Sequence, residues 1–259
     1  MRRSKVLAKL RANETVRICG LGHYIPPFIR HAAHNGYDCI WLDLEHRVMD
    51  DREIQSLLAF FHLFDIDCML RAPTLEKTKL YRYFEDGVTG LMIPHVSTVE
   101  KARLLVQAVK FPPLGDRGID GGGLDGDFLL HERDGYTDRA NRETFLFVQI
   151  ESPEAVENVE AIVAVEGIDG LIIGPADLGL RLKHAGENAP TIEQATKKVA
   201  AACAKHGKAW GQPCGSLEVL KQLHAQGARL LPHGGDFQGI LKVLAECSDN
   251  LDTACGPRK

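Results

Sequence analysis

The sequence predicts an α/β protein in which eight parallel strands close into a (β/α)8 barrel. Three observations carry that expectation: eight short runs that are apolar on both faces, amphipathic helical stretches between them, and glycines where those helices should stop. The runs lie at 16–20, 39–44, 67–70, 90–94, 144–150, 170–174, 208–213 and 228–231. A parallel strand covered on both faces has no polar side, so continuous apolar runs suit it. Helical patterns fall at 27–35, 52–61, 75–86, 99–109, 153–165, 192–205, 217–226 and 237–244. Gly36, Gly87, Gly167, Gly207 and Gly227 stand where helices should end, because glycine adopts the left-handed conformation of a helix C-terminus without steric cost. The amino-terminal MRRSKVLAKLRANE has scattered apolar residues, spaced as a short amphipathic helix and not gathered into a signal-peptide core.

Eight such units in 259 residues suit a closed barrel. A doubly wound open sheet competes, but no GxGxxG follows the first strand to build a nucleotide crevice. The expected organisation is one domain over 1–259. The segment 111–143 breaks the rhythm: it is rich in Gly, Asp and Arg, contains GDRGIDGGGLDGD, and is expected to form a long active-site loop with some local helix.

Composition narrows the class. With 44% hydrophobic and 25% charged residues, the chain can build a full soluble core. A net charge of −4 gives no electrostatic reason for nucleic acid or an anionic membrane as partner, and no apolar stretch is long enough to span a bilayer. Seven cysteines, an odd count without a CxxC pair, fit a reduced cytoplasmic setting better than a disulfide framework.

In a barrel of this kind, side chains at the carboxyl ends of the strands face the catalytic mouth. Those ends carry His23, then Asp43, Glu45 and His46, then Arg71, His95, Gln149 with Glu151, Asp177, Cys214, and His233 with Asp236. Stability alone does not require that concentration of polar groups. Glu151 follows TFLFVQI and Asp177 follows GLIIGPA; two carboxylates on neighbouring strands suit a hard divalent cation, and they equally suit the starts of the following helices. No Cys/His cluster at ligand spacing points to structural zinc. His46, in WLDLEH, sits among carboxylates that suit proton transfer near neutral pH, or it is a histidine whose ring nitrogens are simply satisfied. Arg71, ending CMLR, needs either a bound anion or an ion pair with Glu45 or Glu151. No lysine ends a strand, and Lys208 opens one, so Schiff-base chemistry lacks its nucleophile.

Taken together, YDCIWLDLEH, MLRAP, EDGVTGLMIPHV, FPPLGDRG, VQIESPEAVEN and IDGLIIGPADLG resemble the HpcH/HpaI aldolase family across nearly the whole chain. The pair VQIE…GPADL is specific in combination. The resemblance implies a barrel of the phosphoenolpyruvate/pyruvate type that forms a homo-oligomer, trimer or hexamer. It implies a divalent metal (Mg2+, Mn2+ or Co2+) and a class II aldolase reaction in which a 2-keto-4-hydroxy acid gives pyruvate, or a related 2-keto acid, plus an aldehyde. It also implies that Glu151 and Asp177 ligate the metal, Gln149 and the Ala176 backbone hold the keto acid, and His46 is the acid/base. Asp86 would raise the basicity of His46, and Arg71 would stabilise the enolate. A metal-dependent acyl-CoA lyase, an oxaloacetate decarboxylase and a non-catalytic keto-acid-binding barrel are the alternatives. Leu44, Asp120, and the strand ends GQPCGS and LLPHGGD with Cys214 and His233 depart from the usual pattern; the last two shape the aldehyde side.

Overall fold

In a computed structural model, which describes residues 2–130, 134–186 and 189–257, eight parallel strands close into a barrel in chain order. They are β1 (Val16–Leu21), β2 (Cys39–Asp43), β3 (Asp67–Arg71), β4 (Gly90–Ile93), β5 (Phe145–Ile150), β6 (Gly170–Ile173), β7 (Ala209–Gly211) and β8 (Leu230–Gly235). The helices are α1 (Lys5–Arg11), α2 (Pro26–His34), α3 (Asp51–Leu63), α4 (Lys77–Glu85), α5 (Val99–Val109), α6 (Tyr136–Glu143), α7 (Pro153–Glu157), α8 (Val159–Val163), α9 (Pro175–Lys183), α10 (Ile192–Lys205), α11 (Leu217–Ala225) and α12 (Asp236–Cys255). The expected barrel is therefore present.

Of the expected helical ranges, most agree with the structure to within two residues, and three regions depart further. The helix expected at 153–165 breaks at Asn158 into α7 and α8. The segment beginning GPADLG, expected as the end of a strand, forms α9, with Pro175 at a first-turn position that needs no N–H donor. Helix α12 continues well past residue 244 to Cys255, with Ile240, Leu241, Val243, Leu244 and Leu251 exposed on it.

Strand periodicity sorts the core. Cys39, Met69, Met92, Phe145, Phe147, Ile172 and Leu230 cluster inside the barrel, with Val6 and Leu7 of α1 closing the amino-terminal end. The alternate residues, among them Ile40, Leu70, Leu91, Leu146, Val148 and Leu171, pack under the helices. The closure has a polar lock: buried Asp67 accepts from Ser4 Oγ, the Val6 N–H and Arg2 Nη2 at 2.7, 2.9 and 2.7 Å. Helix α1 thus covers the amino-terminal end of the barrel interior.

The segment 111–143 is more ordered than a loop. It holds a 3-10 turn at Leu124–Leu129 and helix α6; residues 131–133 lie outside the described residues. Buried Arg117 pairs with Asp125 at 2.9 Å, and the Tyr136 hydroxyl donates to the same carboxylate at 2.5 Å. It packs along α4, where Lys77 pairs with Asp116 at 2.6 Å and the Arg117 guanidinium lies 5.4 Å from the Phe84 ring, along α5, where the Asp116 N–H donates to the Gln107 carbonyl at 2.9 Å, and against α1, where the Ser4 N–H donates to Glu143 at 3.0 Å. No described residue of the segment forms a hydrogen bond or ion pair with the side chain of His46, Arg71, Glu151 or Asp177. Among the described residues no helix is long and apolar enough to cross a membrane.

Candidate active site

On three of the strands the inward positions end in polar groups at the open mouth. On β2 the series Cys39–Trp41 continues to Asp43, on β3 Met69 continues to Arg71, and on β5 Phe147 continues to Gln149. Asp43 and Arg71 are register partners across β2 and β3, which brings a carboxylate and a guanidinium side by side. Arg71 Nε and Nη2 donate to the two Asp43 oxygens at 2.9 and 2.7 Å, and Nη1 lies 2.8 Å from Glu45 Oε2. Its guanidinium also sits 4.8 Å from the Trp41 ring. Burial opposes the charge of Asp43, but the hydrogen bonds and positive charge of Arg71 outweigh it and hold the carboxyl below its ordinary value. The partner expected from sequence, Glu45, is found; Glu151 makes no pair with Arg71, and Asp43 takes that place.

Glu45 continues the chain of contacts. Its Oε1 lies 3.0 Å from His95 Nε2, and His95 Nδ1 lies 2.6 Å from Glu151 Oε1. The His95 N–H donates to that same oxygen at 2.7 Å. His95 reaches both carboxylates from a left-handed backbone, φ 57°, a conformation uncommon outside glycine. Sequence reading placed His95 at a strand end without a role; no local signal announces its bridging position.

Glu151 is 1% exposed. Burial raises its pKa, and the negative charges of Glu45 and Asp177 add to that, against the lowering effect of the His95 N–H and ring. Glu151 and Asp177 also share one cationic neighbour. Arg181, unremarked in the sequence, joins them: Nη1 donates to the Glu151 carbonyl at 2.7 Å and Nη2 lies 3.6 Å from Asp177 Oδ1. The helix-capping alternative does not hold for Glu151, because Ser152 is the N-cap of α7 and accepts from the Ala155 N–H. Helix α9 begins at Gly174 with no side-chain cap bond, and Asp177 lies in its first turn. The first-turn N–H groups, that of Ala176 included, therefore lack a capping side chain.

Gly174 is what allows these groups to meet. A Cβ there would stand 2.5 Å from Gln149 Nε2 and 2.7 Å from Glu151 Oε2. Gln149 is 3% exposed, and its Oε1 has no hydrogen-bond partner, an uncommon state for a buried amide. These observations fit a divalent cation with an oxygen donor set supplied by Glu151 and Asp177. Among the described residues no three His, Cys, Asp or Glu side chains enclose a cation by themselves, so water or substrate oxygens would complete the coordination.

The remaining expected residues are less closely gathered. His46 is half exposed; its Nε2 lies 3.7 Å from Glu45 Oε2, and its N–H donates to Asp43 Oδ1 at 3.4 Å. Asp86, expected to act on His46, caps the end of α4 and accepts from Gln55 Nε2 of α3 at 2.8 Å. Burial raises its pKa, modified by Gln55, Arg82, Asp51 and Lys79. All of these lie in the helical layer, so within this chain Asp86 is not brought to His46.

The HpcH/HpaI aldolase/citrate lyase family model matches residues 23–241. The hydroxypyruvate/pyruvate aldolase of Deinococcus radiodurans is 35% identical over 209 residues, 79% of this chain and 74% of that one. The 2-keto-3-deoxy-L-rhamnonate aldolase of Salmonella paratyphi A is 35% identical over 222 residues, 85% of this chain and 80% of that one. Among solved structures, an HpcH/HpaI aldolase from Desulfitobacterium hafniense superposes with a TM-score of 0.88 at 29% identity, covering 95% of each chain. The barrel, its polar mouth and these similarities agree: the chain belongs to the HpcH/HpaI aldolase/citrate lyase family, whose members named here are carbon–carbon lyases.

Proposed function

We propose that this carbon–carbon lyase is a divalent-metal-dependent class II aldolase, which cleaves a 2-keto-4-hydroxy acid to pyruvate, or a related 2-keto acid, and an aldehyde, and runs the addition in reverse. The observation that carries it is the crevice at Gly174, where buried Glu151, the unsatisfied Gln149 amide and the uncapped start of α9 converge. Mg2+, Mn2+ or Co2+ held by Glu151 and Asp177 would supply Lewis-acid stabilisation of negative charge on the keto oxygen.

The residues divide the work. Gln149 and the Ala176 N–H hold the keto-acid end, the latter aided by the positive end of α9. Arg71 presents a guanidinium already fixed by Asp43 and Glu45, so little reorganisation is needed when charge develops on the enolate oxygen. His46 accepts the proton of the C4 hydroxyl as the C3–C4 electron pair passes into the enolate and the aldehyde departs. A proton added at C3 then completes pyruvate. The orienting role expected of Asp86 falls to Asp43 and Glu45, which flank His46. We assign the chain to a homo-oligomer, supported by the exposed apolar residues of α12.

The test is pyruvate release from a 2-keto-4-hydroxy acid, together with exchange of pyruvate methyl protons in deuterated water. Both should vanish with EDTA and return with Mg2+, Mn2+ or Co2+. Exchange that persists after chelation would overturn the metal assignment; no exchange under any metal would overturn the aldolase reading.

A further inference from the structure

Across the barrel from Glu151, a cavity of about 360 Å³ opens at the ends of β1, β2, β7 and β8. Its lining includes Trp41, Asp43, Arg47, Arg71, Cys214 and Phe237. Arg71 belongs to both this cavity and the proposed enolate site, so the two are continuous. A substrate whose enolate end meets Arg71 has this cavity beside it, with Arg47 on its wall.

The charges in the cavity are satisfied with one exception. Asp43 is neutralised by Arg71. Asp236 accepts from the Gly22 and His23 N–H groups at 3.0 Å each and lies 2.7 Å from His23 Nδ1. Arg47 differs. Its Nη1 donates to the His46 carbonyl at 2.7 Å and its guanidinium stacks 4.3 Å from the Phe237 ring, and neither partner carries a negative charge. The side chain is held in place: a Cβ on Gly22 would meet Phe237 Cε2 at 3.0 Å and Arg47 Cγ at 3.1 Å, so arginine and ring are both pressed against the Gly22 backbone. A guanidinium stacked on a ring keeps its in-plane N–H edge for a second partner. Trp41 Nε1, buried on the same cavity's lining residue, also lacks an acceptor.

We propose that Arg47 is a specificity-determining residue that binds an oxyanion, a carboxylate or a phosphate, on the aldehyde half of the substrate. A positioned guanidinium without a counter-ion, facing a cavity whose carboxylates are already paired, favours an anionic occupant, and its fork matches either group through paired hydrogen bonds. The keto-acid half has its own donors at β5 and β6, so the anion recognised here is a second one. This inference rests on the aldolase reading above.

The experiment measures aldol addition of pyruvate, under the activating metal, to two pairs of acceptors: succinic semialdehyde against butanal, and D-glyceraldehyde 3-phosphate against D-glyceraldehyde. The expected result is a kcat/KM about tenfold or more higher for the anionic member of at least one pair, the low end for a hydrogen bond to a charged group; the pair that discriminates tells carboxylate from phosphate. Arg47→Gln should cut that ratio about tenfold, mainly through KM for the anion, and Arg47→Lys should restore part of it. Equal kcat/KM within both pairs in the wild type, or a ratio unchanged in Arg47→Gln, overturns the assignment. Pyruvate methyl-proton exchange in the wild type, measured alongside, requires no acceptor. If it proceeds while the acceptor ratios are flat, only the Arg47 inference fails; if it is absent, the aldolase reading fails and takes this inference with it.

Discussion

Gly174→Ala adds a single methyl group at the point where the proposed donors converge. Here φ is −91°, so backbone conformation permits alanine and the effect is one of space. The new Cβ would stand 2.5 Å from Gln149 Nε2, 2.7 Å from Glu151 Oε2 and 3.0 Å from Glu151 Cβ, where ordinary van der Waals contact begins at 3.4 Å. Neither neighbour can step aside into solvent, since Glu151 and Gln149 are 1% and 3% exposed. Overpacking a buried site costs about 1–3 kcal/mol, which in a domain of this size lowers Tm by about 2–4 °C per kcal/mol. Function should suffer more. Relief of the clash moves the Glu151 carboxylate or the Gln149 amide, and a displacement of about 1 Å in a reacting constellation can cost on the order of 100-fold in rate. The assay pairs thermal unfolding with pyruvate methyl-proton exchange at saturating Mn2+, and Mn2+ affinity is followed by electron paramagnetic resonance. A variant with wild-type exchange, wild-type Mn2+ affinity and unchanged Tm would refute the role given to the crevice.

The other predictions separate the assigned roles. His46→Ala should lower aldol cleavage by about 10²–10⁴-fold, as for the loss of a general base, while oxaloacetate decarboxylation, which removes no hydroxyl proton, should fall far less; equal losses would remove His46 from proton transfer. Arg71→Lys should lower both reactions, because each passes through the enolate and a lysine cannot hold Asp43 and Glu45 in the same fork; cleavage kinetics that match the wild type would count against it. Asp43 supplies a pH dependence of stability: its folded pKa lies below the unfolded value of about 3.9, so the unfolded chain binds more protons in between. The contribution of the pair is then complete above that value and lost as pH falls through the folded pKa. In urea unfolding, Asp43→Asn should be most destabilised relative to wild type near pH 6, and the gap should narrow toward pH 3; a constant gap would show that the carboxylate charge contributes nothing.

Much of the barrel was legible because burial repeats along the chain. The strands are largely apolar on both faces, and α2, α4, α10 and α11 stop just before left-handed glycines; α5 and α10 match their expected limits of 99–109 and 192–205. Helix α9 was not legible: GPADLG is expected as a strand end, and it becomes helix with Gly174 at the N-cap and Pro175 in the first turn. Helix α12 extends through apolar positions that find no cover within this chain, so burial in this chain gave no sign of its length.

The same division runs through the mouth. Sequence alone determined which polar residues end the strands, because a fixed alternation sends every second side chain inward and a strand's last inward residue must face the opening; Arg71, Gln149 and Glu151 follow from that. Tertiary structure decided the pairings. Asp43, not Glu151, holds Arg71 through the β2–β3 register, His95 bridges Glu45 and Glu151 from a left-handed backbone, Asp86 turns to Gln55, and Arg47 is left without a counter-ion. These outcomes depend on contacts between residues distant in the chain, on how far each side chain reaches and on which acceptor is nearest, and no local pattern of residue types encodes those distances.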